Sequence, residues 1–457
     1  MWTAPLTRSF AMASRRALLA AALVACPATA LAKADPAPPP AAPAAPVSTT
    51  AAVAALASGD MRAFYAHAER PLWITPANTL RPAADDLLRL ISTAEYDGLD
   101  PEQLRAAELT AAIARARETP TPEALAGAEL ALSRALTGYV GALLGGPAGS
   151  DMLYEHDLLR PIQPTAATVL RTAAEADSLE DYVGQMRWMH PMYAQIRRDL
   201  ATSPLSASLQ LAAESSLSRL RSLPATPWSR HVVIDIPSAR LWMYEGDRPV
   251  DSMKIVVGKA DTQTPQMAGY IRYAVLNPYW YVPAHLVRKT IAPNVLNQGL
   301  RYLRTRGYEV LSDWTDEAEV IDPATIDWRA AQRGDIEVVV RQKPSATNAM
   351  GSVKYEFPNP QGIYLHDTPD KQLMLEDARQ FSNGCVRLED AARFGRWLLG
   401  GVMPAPSGSP EERVDLPEPV PIYITYMTVR DNGAQLALGS DPYGLDGVGG
   451  TALVSAH

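Results

Sequence analysis

The chain of 457 residues has only two cysteines, Cys26 and Cys385. Two cysteines so far apart in the sequence cannot form the closely spaced Cys pair of a zinc knuckle. The chain has no H-E-x-x-H motif, so a metal-dependent hydrolase is not indicated. A P-loop and a G-x-G-x-x-G run are missing as well, which argues against nucleotide binding. Neither S-x-x-K nor G-x-S-x-G occurs, which argues against the common serine nucleophiles. The residues therefore imply no metal and no cofactor.

Negative charge exceeds positive charge. The formal net charge is −8 and no long Lys/Arg run occurs, so a nucleic acid is not expected as a partner. Hydrophobic residues make up 47% and charged residues 20% of the chain, as is usual in soluble globular proteins. The length suggests two or three domains.

The first 32 residues have the pattern of a signal peptide. Arg15 and Arg16 precede the apolar run ALLAAALVA, and residues 30–32 (Ala-Leu-Ala) form a small-x-small cleavage site. The apolar run is too short to span a bilayer as a permanent helix. This pattern predicts an exported, periplasmic protein. Two variants stay open: a twin-arginine signal in SRRALLA, and a lipoprotein box in LVAC that would leave a lipid anchor on Cys26.

Cleavage after Ala32 would leave Cys385 as the only thiol of the mature chain. In an oxidising compartment an unpaired cysteine is a candidate for a reactive residue. The alternative is a buried cysteine that packs as a small hydrophobic residue. Composition does not decide between the two.

Helical patterns occupy the first half of the chain. One helical face would hold Leu87, Leu90, Ile91 and Ala94. Gly98 suits the end of a helix, and Asp100 followed by Pro101 suits the start of the next. We see no catalytic constellation in this half.

Strand patterns begin near residue 230, in runs such as HVVIDI, ARLWMYE and IEVVVRQ. Between them lies a basic, mostly helical insertion, which either meets an anionic polymer or forms a solvated helix face. The predicted divisions are a signal peptide (1–32), a Pro/Ala-rich linker (33–58), a helical domain (59–222), a β-rich domain (223–446) that contains the insertion (284–334), and a tail (447–457).

One stretch, YLHDTPDKQLMLEDARQFSNGCVRLED from Tyr364 to Asp390, holds both a histidine and a cysteine. His366 ends a short β-type run, and Cys385 lies at the far end of a loop that can fold back beside it. The thiolate is the reactive form of cysteine, and a neighbouring imidazole can accept the thiol proton. The sequence therefore predicts Cys385 as a nucleophile and His366 as its base.

The residues around this cysteine suit acyl transfer. Gly384 has no side chain, so a substrate can approach the backbone closely. The amides of Gly384 and Cys385 are candidates for an oxyanion hole. On a strand, Arg387 would point to the same side as Cys385, where it could orient the loop or bind a carboxylate.

The stretch resembles the signature of the L,D-transpeptidases with a YkuD-type catalytic domain, in which a histidine and a spacer precede Ser/Thr-x-Gly-Cys-x-Arg. Here residues 367–381 are the spacer, and Ser382-Asn383-Gly384-Cys385-Val386-Arg387 follows. Many relatives have histidine at the position of Asn383, so a second imidazole cannot assist in this chain. The resemblance implies that Ser382, Asn383 and Gly384 support the loop.

Segments outside the motif resemble the YcbB-like branch of that family, among them LNPYWYVP, DPYGLD, YDGLDPEQL and WMHPMYAQIRRDL. The resemblance covers most of the chain from about 60 to 446. It implies an α+β fold, in which a helical scaffold domain precedes a mostly β, sandwich-like catalytic domain with a helical capping insertion. The peptidoglycan-binding module that many relatives carry between these domains is not evident.

The resemblance also implies a reaction. Cys385 would attack the carbonyl between the L-centre of meso-diaminopimelate and the terminal D-Ala of a tetrapeptide stem, and His366 would accept the thiol proton. The amine of a second stem would then resolve the thioester and give a 3→3 cross-link. Tyr364 corresponds to a pocket tyrosine, and Tyr279 and Trp280 to aromatic residues near the cleft. For these aromatic residues, ordinary core packing is the alternative.

The partners implied are donor and acceptor peptide stems of peptidoglycan, carbapenems as covalent inhibitors, and a D,D-carboxypeptidase or other wall-synthesis enzyme that supplies tetrapeptides. Two other functions stay open. The same cysteine and histidine would serve a cell-wall peptidase with water as acceptor. A non-catalytic wall-binding scaffold is the other alternative.

Overall fold

The computed structural model describes residues 48–145, 152–202, 206–225, 230–431 and 435–447. The predicted signal peptide, with Cys26, lies outside the described residues. Most of the predicted linker and nearly all of the predicted tail lie outside them too.

The predicted linker, 33–58, ends earlier than the sequence suggested. Its last part forms helix α1, Thr49–Leu56, in which Ala52 and Val53 are buried. The Ser48 side chain accepts a hydrogen bond from the amide of Ala51 at 3.2 Å and so caps the helix. This cap and the apolar face together join the segment to the helical core.

Helices dominate the described residues from 48 to 225, which we call the helical region. After α1 they are α2 (Gly59–Tyr65), α3 (Ala83–Ser92), α4 (Ala106–Glu118), α5 (Pro122–Gly145), α6 (Ala166–Glu175), α7 (Leu179–Gly184), α8 (Pro191–Thr202) and α9 (Ala207–Leu220). The long helix α5 lies at the centre and packs against α1, α3, α4 and α6. In the part of the chain that the structure describes, no helix combines the length and the apolarity that crossing a membrane requires.

The helix end predicted at Gly98 is confirmed, because this residue follows the short 3-10 helix Ala94–Asp97 in a left-handed conformation. The predicted cap at Asp100 is present, since its Oδ1 accepts from the amide of Glu102 at 2.8 Å, but it opens only a single turn and no helix. Helix α4 begins only at Ala106, because Arg105 has a φ of +61° and interrupts the helical path.

A buried carboxylate joins three elements of the helical region. Asp97 accepts hydrogen bonds from Arg197 Nε at 3.0 Å, from Tyr139 Oη at 2.6 Å and from Tyr193 Oη at 2.7 Å. All four side chains are buried. The charge is therefore paired and hydrogen-bonded, as a buried ion pair must be to persist.

Strands dominate the described residues from 230 onwards, with β1 (Leu153–Tyr154) contributed by the helical region. They are β2 (Arg230–Asp235), β3 (Arg240–Glu245), β4 (Arg248–Gly258), β5 (Met267–Leu276), β6 (Trp280–Val282), β7 (Tyr308–Leu311), β8 (Val320–Ile321), β9 (Val339–Gln342), β10 (Val353–Glu356), β11 (Leu365–His366), β12 (Gln380–Ser382), β13 (Val386–Leu388), β14 (Glu412–Thr425), β15 (Val429–Asp431) and β16 (Leu436–Leu438). Together with the helical region they give the predicted α+β architecture.

Ten of the strands that the structure describes form one sheet, in the order β1-β5-β10-β11-β13-β4-β3-β2-β14 with β12 beside β4. Strand β14 pairs with both β2 and β5, so the sheet closes on itself. Its register against β5 shifts between Asp415 and Val420, where Pro417 and Pro419 cannot donate ladder hydrogen bonds. The enclosed core is apolar and includes Ile255, Leu365, Val386 and Ile422, all fully buried.

The helical region and the sheet share one continuous apolar core. Strand β1 pairs in parallel with β5, with Leu153 opposite Met267. Leu217 of α9 belongs to the same buried cluster as Tyr423 and Met427 of the β-rich part. The two parts are therefore packed together and are not merely tethered by the chain.

The insertion predicted at 284–334, together with its flanking strands, forms a subdomain that we call the cap (residues 280–342). It contains helices α10 (Ala284–Leu286), α11 (Ala292–Gln298), α12 (Arg301–Arg306) and α13 (Trp328–Arg333), and a sheet with the order β6-β9-β7-β8. Its own apolar cluster includes Val282, Ile291 and Val340. The sequence indicated a mostly helical insertion. The sheet was missed because these strands are short and pair across the insertion.

One further helix, α14 (Ala391–Leu398), follows β13 and packs its buried Phe394 against Tyr355 of β10.

Candidate active site

Strands β11 and β13 lie side by side in parallel, with Leu365 opposite Val386 and His366 opposite Arg387. Leu365 and Val386 are fully buried in the core of the sheet. Side chains alternate between the two faces along a strand. The other face therefore receives His366 and Arg387 and, by the same alternation, Tyr364 and Cys385.

His366 is buried, with 3% of its surface exposed. Its Nδ1 lies 2.6 Å from the carbonyl oxygen of Asp367. Because a carbonyl only accepts, Nδ1 must carry the proton, and Nε2 keeps a lone pair. Burial lowers the pKa of His366 to about 3, and the positive charge of Arg387 acts in the same direction. The imidazole is therefore a neutral base with a fixed tautomer.

Cys385 is a free, half-buried cysteine. Burial raises the pKa of its thiol to about 11, although hydrogen bonds from the amide and the hydroxyl of Tyr364 to the sulfur act in the opposite direction. Its Sγ lies 3.7 Å from the carbonyl oxygen of Gly362, which can accept from the thiol. At neutral pH the resting pair is therefore a thiol and a neutral imidazole.

Tyr364 contacts both members of this pair. Its amide and hydroxyl lower the pKa of the Cys385 thiol, and its ring stands edge-on to the imidazole of His366, with 6.0 Å between the centroids. The Nζ of Lys354 lies over the tyrosine ring, 6.0 Å from its centroid. Tyr364 thus occupies the centre of the candidate site.

The predicted loop residues have distinct positions. Ser382 is buried, and its Oγ donates to the carbonyl of Cys385 at 2.6 Å and accepts from the amide of Gly384 at 3.1 Å. Gly384 has a φ of +116°, which L-residues with a side chain rarely adopt. The side chain of Asn383 is exposed and, within the described ranges, makes no hydrogen bond. Ser382 and Gly384 therefore shape the turn, and the Asn383 side chain does not.

The expectation for the oxyanion hole needs a correction at Gly384. Its amide is engaged by Ser382 Oγ, because the left-handed turn directs it into the loop. The amide of Cys385 has no hydrogen-bond partner among the residues that the structure describes. Of the two amides predicted, only that of Cys385 is free to donate to a substrate.

Arg387 lies beside the pair on the same face of the sheet. Its Nη1 is 3.6 Å from Asp370, and its Nε is buried without a partner in the part of the chain that is described. A guanidinium with unused donors suits a carboxylate. This is the position from which the predicted carboxylate contact would be made.

The two remaining aromatic residues differ. The amide of Tyr279 donates to Glu411 at 2.6 Å, and Glu411 in turn approaches Lys354 at 3.6 Å. Trp280 packs against the apolar cluster of the cap. Ordinary packing therefore describes Trp280, whereas the ring of Tyr279 lies under the guanidinium of Arg341 of the cap, 4.2 Å from the ring centroid.

Sequence reasoning missed the charged groups beside Tyr364. Lys354 lies opposite His366 in the β10–β11 pair and forms ion pairs with Glu356 at 3.1 Å and Glu411 at 3.6 Å. No local motif marks these residues. Only the register of β10 against β11 brings them to the site.

The described residues include no group of three His, Cys, Asp or Glu side chains that could hold a metal ion. His156 lies apart from the candidate site, with its Nε2 3.0 Å from Arg272. His67 is exposed on the helical region.

Two family models match the chain. Residues 229–422 match the L,D-transpeptidase catalytic domain (YkuD), and residues 59–200 match the Scaffold domain. A curated Haemophilus influenzae protein named "Putative L,D-transpeptidase" is 28% identical over 256 residues, which are 55% of this chain and 50% of that protein. The chain thus spans about half the length of this curated relative.

Solved structures of the same kind are more distant. An L,D-transpeptidase from Mycobacterium smegmatis is 12% identical, with a TM-score of 0.22 over 43% of this chain and 58% of that chain. The LD transpeptidase LdtMt1, solved in complex with imipenem, is 11% identical, with a TM-score of 0.22 over the same shares. The two matching family models, and not these distant structures, identify the domains of this chain.

Proposed function

Because this chain carries a YkuD-type L,D-transpeptidase catalytic domain and a Scaffold domain, we propose that it forms 3→3 cross-links between the peptide stems of peptidoglycan. The observation that carries the proposal is the fixed tautomer of His366. The His366 and Cys385 side chains lie on the same face of the sheet. The Nε2 lone pair of His366 can therefore accept the thiol proton while the sulfur attacks.

The first half of the reaction forms a thioester. The Cys385 sulfur attacks the carbonyl that joins the L-centre of diaminopimelate to D-Ala, while the thiol proton passes to His366 Nε2. The amide of Cys385 donates to the oxyanion that develops. When the carbon–nitrogen bond breaks, His366 returns the proton to the leaving amine, and D-Ala departs.

The second half transfers the acyl group. The side-chain amine of a second stem attacks the thioester carbonyl and gives its proton to His366. The carbon–sulfur bond breaks, and the sulfur takes the proton back as a thiol. The guanidinium of Arg387, whose side chain is 20% exposed, supports a contact with a carboxylate of one of the stems.

A mass spectrum of muropeptides tests the proposal. The purified protein is incubated with sacculi rich in tetrapeptide stems, beside Cys385→Ala and His366→Gln variants. New 3→3 dimers with the wild type alone are the expected result. Shortened stems without dimers would replace the proposal with a cell-wall peptidase. Unchanged sacculi with a folded wild type would favour a wall-binding scaffold and contradict catalysis by this chain.

Imipenem offers a direct test of the nucleophile, since carbapenems are the covalent inhibitors that the L,D-transpeptidase motif implies. The β-lactam carbonyl should acylate Cys385, and the intact mass should rise by one inhibitor in the wild type. The Cys385→Ala variant should not change. Acylation of that variant would place the nucleophile elsewhere.

We also propose that the protein acts outside the cytoplasm, because the substrate lies there and the N-terminal pattern is that of a signal peptide. Fractionation of cells that express the full chain should recover a shortened protein with a periplasmic marker. Recovery of only the uncut chain with a cytoplasmic marker would contradict this.

A further inference from the structure

The turn that carries Cys385 is held by a residue from outside the motif. Thr264 follows β4, is 2% exposed, and donates from its Oγ1 to the carbonyl oxygen of Gly384 at 2.7 Å. The same hydroxyl accepts from the amide of Gly258 at 2.9 Å. One buried side chain therefore connects the end of β4 to the peptide group just before the nucleophile.

A tyrosine from the C-terminal segment fixes that threonine. The hydroxyl of Tyr443 donates to the carbonyl of Gly258 at 2.7 Å and accepts from the amide of Thr264 at 3.1 Å. Tyr443 thus holds both ends of the loop between Gly258 and Thr264. Because the backbone groups at both ends are engaged, the threonine hydroxyl has little freedom to move.

The segment around Tyr443 is itself anchored. The amide of Tyr443 donates to the hydroxyl of Tyr426 at 2.9 Å, and this hydroxyl donates to Asp441 at 2.6 Å. Asp446 accepts from Arg219 of helix α9 at 2.9 Å. The contacts run from the helical region, through the C-terminal segment, to the turn of the nucleophile.

The peptide group between Gly384 and Cys385 explains why these contacts matter. Its carbonyl and its N–H lie in one plane and point in opposite directions. When Thr264 holds the Gly384 carbonyl towards the protein, the Cys385 N–H must point away from it. This is the amide that remains free in the described part of the chain.

We propose that Thr264 and Tyr443 are positioning residues that aim the Cys385 amide at the developing oxyanion. Thr264 acts through the Gly384 carbonyl, and Tyr443 acts through Thr264. The inference rests on the proposed acyl-transfer function. It adds two residues outside the His366–Cys385 motif to the machinery of the site.

Two reactions of the same thiol separate this role from general structural support. Acylation by imipenem passes through an oxyanion and needs the amide donor. Alkylation by iodoacetamide is a displacement at a saturated carbon, so no oxyanion forms. A misdirected Cys385 amide should slow acylation alone. A loosened turn or an altered thiol should change both rates.

The test measures both second-order rates for Thr264→Val, Thr264→Ser and Tyr443→Phe. We expect Thr264→Val and Tyr443→Phe to slow acylation by about 10- to 100-fold, the range that misplacement of a catalytic group produces. Alkylation should stay within about threefold of the wild type, since no donor is needed. Thr264→Ser keeps the hydroxyl, so its acylation rate should be close to that of the wild type.

Tyr154→Phe is the matched control, because it also removes one tyrosine hydroxyl, which donates to the carbonyl of Ser222 at 2.7 Å, away from the turn. It should leave both rates unchanged. If Thr264→Val does not fold, Tyr443→Phe leaves the threonine in place and still decides the question. Equal slowing of both reactions, or wild-type acylation in folded variants, would overturn the inference. A wild type that imipenem fails to acylate would instead count against the proposed function.

Discussion

The imidazoles of His190 and His231 meet across the junction between the helical region and the sheet, with their Nε2 atoms 3.1 Å apart. The amide of Met192 donates to His190 Nδ1. His190 must therefore donate from Nε2, and His231 must accept at Nε2 and carry its own proton on Nδ1. His231 also stacks on Tyr244, with 4.7 Å between the ring centroids. Both rings are neutral in this arrangement.

This pair predicts a loss of stability in mild acid. Burial lowers the pKa of His231 to about 4, and burial together with His231 lowers that of His190 well below its usual value of 6.5. Between pH 6.5 and 4 the unfolded chain binds protons that the folded chain does not, so stability is complete above pH 6.5 and falls as the pH falls. Each such histidine contributes up to about 1.4 kcal/mol per pH unit.

Urea unfolding of the wild type and of His231→Gln at several pH values between 4.5 and 7.5 checks this. The slope of the unfolding free energy against pH should become shallower in the variant, whatever its stability at pH 7.5. His67→Gln changes an exposed histidine and should keep the wild-type slope. An unchanged slope in His231→Gln would contradict the neutral pair.

The buried carboxylate of the helical region predicts a large mutational effect. Asp97→Asn would leave the guanidinium of Arg197 buried without its counter-charge, and losing one partner of a buried pair costs about 3–5 kcal/mol. Asp85→Asn is the matched control, because Asp85 pairs with Arg117 at 2.8 Å with both side chains about half exposed. Such surface pairs contribute about 0–1 kcal/mol. Equal losses in urea unfolding would show that the buried pair has no special role.

The sequence predicted element types better than element boundaries. The end of a helix at Gly98 follows from local chemistry, because glycine adopts the left-handed conformation readily. The start of α4 does not, because the left-handed conformation of Arg105, which delays the helix to Ala106, has no signal in the local sequence. The sheet of the cap was missed for a related reason, since its short strands are defined by pairing between distant segments.

The motif identified His366 and Cys385 as candidates, but it could not indicate their surroundings. Lys354 reaches the site through the register of β10 and β11, which no periodicity in the sequence specifies. Thr264 and Tyr443 act on backbone groups of glycines, so their partners have no side-chain signature. The engagement of the Gly384 amide by Ser382 likewise depends on the exact path of the turn.

Gly384 itself gives a prediction about the turn. A Cβ at this position would lie 3.2 Å from Ile363 Cδ1, and the φ of +116° lies outside the region that alanine adopts. We expect Gly384→Ala to cost about 1–3 kcal/mol of backbone strain and to slow acylation by imipenem.

Gly362→Ala is the control for this change. Gly362 has a φ of +65°, near the left-handed helical region, and its Cβ would have no heavy atom within 4 Å. Alanine tolerates that conformation at lower cost, so both the stability and the acylation rate should fall less than in Gly384→Ala. Equal effects in urea unfolding and in acylation would mean that the turn can relax.

The protonation state of the thiol gives the last prediction. Burial raises the pKa of Cys385 to about 11 and lowers that of His366 to about 3, so the resting site holds no thiolate–imidazolium pair. The rate of alkylation by iodoacetamide should therefore rise about tenfold per pH unit from pH 7 to pH 10, following the thiolate fraction. The His366→Gln variant should give the same slope, because a neutral imidazole provides no charge that would stabilise the thiolate. A plateau that begins near pH 6 in the wild type and disappears in His366→Gln would reveal a preformed ion pair instead, and the proton transfer would then precede substrate attack.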